Sequence, residues 1–152
     1  MHLIAKSNRN TFITKEIMFT AKVYKICIAS ASGAMKEERI AQDVVARWNC
    51  QNGEAKEVIY LQVQQEMAPD VNVFLIDNFV DTAVIDAAIA TGVNVAVFFS
   101  IYHDPQNTMS SEIEAIEKLR ERIQESCVCI DYKGSSVFEQ RLTEYLNSVA
   151  AR

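Results

Sequence analysis

The sequence predicts a single α/β domain built on a parallel sheet of about five strands with helices on both faces. Three observations predict it. Short apolar runs alternate with stretches of helical periodicity from Val23 onward. Most of these runs give way to small or polar residues, as strands do where they enter turns. No repeat, linker or shift in composition marks a second domain in the 152 residues. An order of β-α-β-link-β-α-β-α-β-α requires crossovers that place helices on both faces of the sheet.

The elements follow in chain order. Residues 1–22 hold one acid, Glu16, among Lys, Arg, Ser, Thr and Asn, and read as a loosely attached leader ahead of a domain at 23–152. Val23 to Ala29 is rich in β-branched and aromatic residues and runs into Ser30-Ala31-Ser32-Gly33, a strand entering a turn. Ile40, Ala41, Val44, Val45 and Trp48 recur at helical spacing and predict a helix from Met35 to Trp48, with a break over Asn49 to Gly53. Lys56 to Val63 reads as a second strand. Val71 to Ile76 reads as a central strand buried on both faces. A helix is expected from Val80 to Thr91, ending at Gly92, then a buried strand from Val93 to Phe99. Ser110 or Ser111 caps the next helix. Cys127 to Tyr132 is the last strand and Ser135 to Ala150 the last helix.

Composition narrows the function classes. The formal net charge of -5 lacks the basic surplus that phosphate-backbone contacts need, so general nucleic-acid binding is not expected. Cys27, Cys50, Cys127 and Cys129 show no C-x-x-C spacing, and with only His2 and His103 beside them no metal site is expected. Cys27, Cys127 and Cys129 sit in apolar runs and read as small buried hydrophobes, which suits a reducing cytoplasm. No apolar stretch reaches the roughly 20 residues that span a bilayer, so no membrane partner is expected. No motif calls for a cofactor.

In open α/β sheets ligands bind beyond the carboxyl ends of the strands. That rule selects four segments: 30–38, 77–86, 100–107 and 132–136. In the first, Ser30, Ser32, Gly33 and Glu38 stand where a strand turns into a helix N-terminus, which receives anionic or polar groups as readily as it simply caps. In the second, Asp77, Asp81 and Asp86 are candidate acid/base carboxylates, with Asn78 and Thr82 as binding groups; Asp81 and Thr82 also suit a helix cap. Ser100 ends the next strand. His103, in the loop that follows, has no identifiable catalytic partner.

The stretch Lys25-Ile-Cys-Ile-Ala-Ser-Ala-Ser-Gly-Ala-Met-Lys-Glu-Glu-Arg39 resembles the opening of prokaryotic TIR-like domains related to nucleoside 2-deoxyribosyltransferases. Ala87 to Ser100 resembles the same group's A-x-x-x-G-K-P-V passage, and Leu119 to Ile123, Cys129 to Tyr132 and Phe138 to Leu146 its closing elements. The likeness covers residues 23–149. It implies a flavodoxin-like three-layer sandwich, a nucleotide or nucleoside ligand, self-association through exposed helices, and a role in prokaryotic defence or signalling. Enzymatic members act on the N-glycosidic bond of a nucleoside or of NAD through a glutamate in a pattern like G-T-x-x-E-I. Here Ile85 aligns with that pattern's isoleucine, which puts Val84 on the glutamate. Valine is neither nucleophile nor charge stabiliser, so the resemblance implies a binding module with impaired chemistry, or an N-glycosidase that uses Asp77, Asp81 or Asp86 instead.

Overall fold

The computed structural model of the chain describes residues 2–9, 13–30, 35–76, 82–101 and 110–152. Its first strands, β1 (His2–Arg9) and β2 (Ile13–Thr20), pair antiparallel from His2↔Thr20 to Arg9↔Ile13. The stretch read as a leader thus carries a two-stranded ribbon of its own, separated by Ala21 from the main sheet.

The main sheet holds β3 (Lys22–Ser30), β4 (Val58–Gln62), β5 (Val71–Ile76), β6 (Asn94–Ser100) and β7 (Val128–Tyr132), in the order β4-β3-β5-β6-β7. Every neighbouring pair is parallel. The strands carrying Ile26, Phe74 and Val97 are adjacent, as alternation with helices requires. β5 is the middle strand and all six of its residues are buried, which is why its sequence shows an apolar run rather than alternation.

The chain steps one way from β3 to β4 and the other way from β5 to β7. Right-handed crossovers therefore put α1 (Met35–Lys56) on one face and α2 (Thr82–Ala90) and α3 (Ser110–Ile123) on the other. The final helix, α4 (Ser135–Ala150), returns beside α1, so Trp48, Tyr60, Phe138, Leu142 and Leu146 share one core layer. Phe74, Ile85, Val97, Phe99, Leu119 and Ile123 form the other. Past α2 the chain turns at Gly92, whose φ of +74° suits glycine.

Two sequence expectations need correction. The break over Asn49 to Gly53 is absent: α1 runs on to Lys56. Asn49 is an anchor, its Nδ2 donating to the Tyr60 carbonyl at 2.8 Å and its Oδ1 accepting the Tyr60 N–H at 2.9 Å. Gly53 lets the helix lie close on β4, since a Cβ there would stand 2.5 Å from Ile59 Cδ1. These contacts outweigh the weak helix propensity of Asn and Gly. The second correction concerns the thiols. Cys27 is buried, but Cys127 lies just before β7, and both it and Cys129 are only partly buried.

The link from β4 to β5 positions everything that follows. Parallel strands ordinarily need a crossover of a dozen or more residues. Here residues 63–70 suffice, with one 3-10 turn at Gln65–Met67. The reason is stagger. β4 pairs with Lys22 to Ile26 and β5 with Ile26 to Ser30, so β4 ends level with the start of β5. The link only steps across β3, held by Asp70 accepting the Lys25 N–H at 2.9 Å and by Lys25 Nζ donating to the Met67 carbonyl at 2.9 Å. No helix stands between β4 and β5, so the flank of α2 that looks toward β3 has no helical neighbour there.

Candidate functional site

The chain reverses direction across the sheet between β3 and β5, and a crevice at the carboxyl ends of those strands is where ligands of such sheets sit. Ser30 closes β3 opposite Leu75 of β5. Its hydroxyl donates to Glu38 Oε2 at 2.9 Å, from the first turn of α1. The pair therefore spans strand end and helix start. Glu38 and Glu66, after burial itself, push the Cys27 thiol pKa up, so that cysteine is held protonated and unreactive.

The other expected residues separate. Thr82 is exposed at the start of α2. Asp86 accepts from Arg122 of α3 at 2.6 Å, with both side chains about half exposed, and so ties α2 to α3 on the outer surface. Ser100 ends β6, two strands from Ser30 and hence at least about 10 Å away. It lines a separate recess of about 350 Å³ with Glu117, Arg120 and Asp131. There Arg120 lies 4.5 Å above the Phe99 ring and donates to Asp131 at 2.7 Å. Ser32, Gly33, Asp77, Asn78 and Asp81, with His103, lie outside the described residues. Among the described residues no group of three or more His, Cys, Asp or Glu could hold a metal ion. No described helix is long and apolar enough to cross a membrane.

Two features escaped the sequence reading. The first is a groove of about 550 Å³ between the β4–β5 link and α2, walled by Ala68, Pro69, Ala83, Val84 and Ala87 and reaching Asn72. Val84 is 40% exposed on this flank. Asn72 is 3% exposed and is the one buried polar residue among those described. Its Oδ1 has no hydrogen-bond partner, a state that costs about 1–3 kcal/mol. The signal was present, since Asn72 is the lone polar residue in the apolar run 71–76. The second is the pair Cys127 and Cys129. Cys127 Sγ donates to the Ile123 carbonyl at 3.6 Å, and its nearness to Cys129, aided by Arg120 and opposed by burial, holds the Cys129 thiol below its ordinary pKa while Cys127 is pushed up.

No family model matches the chain, and no curated protein matches it either. Among solved structures it is similar to translation elongation factor SelB from Methanococcus maripaludis in its apo form, with a TM-score of 0.52 and 10% identity. The match covers 84% of this chain and 36% of that one, so the chain spans little more than a third of the factor. At that identity the likeness is one of fold alone, and it agrees with the parallel α/β sheet described above.

Proposed function

We propose that the chain is a nucleotide-binding module of the TIR-like, deoxyribosyltransferase-like kind, with its ligand at the strand ends between β3 and β5 and its glycosidase chemistry lost. The Ser30–Glu38 hydrogen bond at the carboxyl end of β3 carries this reading. An ionised carboxylate is acceptor-only with several lone-pair sites, and Ser30 occupies one of them. The remainder suit the adjacent hydroxyls of a ribose, as strand-end carboxylates do in other open α/β sheets. The apolar Val84 supports the loss of chemistry, because no carboxylate stands where the resemblance puts the catalytic one. A role in prokaryotic defence or signalling, with self-association through exposed helices, goes with this reading.

The test is calorimetric titration with NAD and a nucleoside panel, followed by chromatography of the mixtures for free base. Binding without cleavage, weakened about tenfold or more by Glu38→Ala, is expected. Equal binding by Glu38→Ala would remove the crevice reading. Turnover by the unaltered chain, abolished by Asp77→Ala, would replace the module with an N-glycosidase that uses Asp77. Activity gained only in Val84→Glu would support a site that has kept its shape and lost its reacting group.

A further inference from the structure

We infer that the groove between α2 and the β4–β5 link binds a small, flat ligand that presents a primary carboxamide or lactam edge to Asn72. The site is distinct from the strand-end crevice and does not depend on it.

The groove volume of about 550 Å³ falls in the range of small-molecule pockets, which are mostly apolar with a few placed polar groups. Its walls match that description: Ala68 and Pro69 on the link, Ala83, Val84 and Ala87 on α2. Asn72 supplies the polar group. It lines the groove, is 97% buried, and its Oδ1 is unpaired. A side-chain amide offers N–H and C=O on one edge. The complement with both bonds made is another amide whose N–H and C=O also share an edge, which a primary carboxamide or a lactam has. A trans peptide amide points the two groups in opposite directions and cannot make both bonds to one Asn side chain. The amide is therefore matched to a small cyclic or primary amide rather than to a peptide strand. Entry to the amide edge takes an outward shift of α2, a short helix that buries only Ile85 and Ala88.

The probes are benzamide and N-methylbenzamide, which share a ring and differ in the amide edge, titrated into the full ¹⁵N-labelled chain and followed by amide NMR shifts. Benzamide is expected to shift the Asn72 side-chain NH₂ together with the backbone amides of Val84 and Ala87. N-methylbenzamide should bind at least about tenfold more weakly, having one bond to Asn72 in place of two. Asn72→Leu should erase that preference. Ala87→Trp, at an exposed position on the groove wall, should abolish the shifts at Asn72 and covers the case in which Asn72→Leu does not fold. Equal affinity of the two probes, no shift at Asn72, or shifts that persist in Ala87→Trp would each overturn the inference.

Discussion

Replacing Asn49 by alanine separates two opposite views of that residue by the sign of a single measurement. If Asn49 merely weakens a helix, Asn49→Ala stabilises the chain, because alanine is the better helix former by up to about 0.7 kcal/mol. The structure gives the reverse. Asn49 makes two hydrogen bonds to the backbone of Tyr60, at 2.8 and 2.9 Å, on the outermost strand of the sheet. Each is worth about 1 kcal/mol net, so their loss costs about 2 kcal/mol, and the gain in helix propensity leaves a net destabilisation of roughly 1.5 kcal/mol. For a domain of this size that lowers the melting temperature by about 3–6 °C. Urea denaturation followed by circular dichroism measures it, with the slope unchanged and the midpoint lowered. A midpoint that stays put or rises would refute the anchoring role and return Asn49 to the status of a tolerated weak point in α1.

Three further outcomes follow from buried polar groups. Asn72→Leu keeps the branching of the side chain, removes an unpaired buried acceptor beside an open groove, and should raise stability in urea by about 1–2 kcal/mol; a loss of that size would refute the cost assigned to the unpaired amide. Burial pushes the Tyr145 phenol up to about 12 and that of Tyr60 higher still. Both pKa values are higher folded than unfolded, so their contribution is complete below about pH 10 and is lost as pH rises toward 12, and urea midpoints should fall between pH 10 and 12. Midpoints that hold to pH 12 would contradict this. At pH 7.5 iodoacetamide should label Cys129, whose thiol is held below its ordinary pKa chiefly by neighbouring Cys127, about tenfold faster than buried Cys27. Cys127→Ala should slow that labelling, and an unchanged rate by peptide mass spectrometry would sink the thiol pairing.

What the sequence made legible is what depends on near neighbours in the chain. Val71 to Ile76 carries its burial in its own composition, and Gly92 carries the end of α2. The run from Val23 placed Ser30 at a strand end and Glu38 at a helix start with no geometry in hand. The length of α1 was hidden because the residues that justify Asn49 and Gly53 are Tyr60 and Ile59, several positions later on another element. The groove was hidden for a different reason. It exists because β4 and β5 pair with different halves of β3, and pairing register between parallel strands leaves no periodic trace in either strand. Asp86 had a strand-end address in sequence yet found its partner, Arg122, on α3, since successive positions on a helix point to different sides.

The staggered pairing of β4 and β5 also bears on how this fold accepts change. Because the two strand ends already lie at one level, the link carries no burden of reach, and residues 64–68 are all exposed. Chain added there has nothing to re-register, and doubling the loop costs only about 0.6 kcal/mol in closure entropy. The link is thus a port: a position where a helix, a binding peptide or a reporter domain can be spliced over the α2 flank with the five-stranded sheet left as it stands.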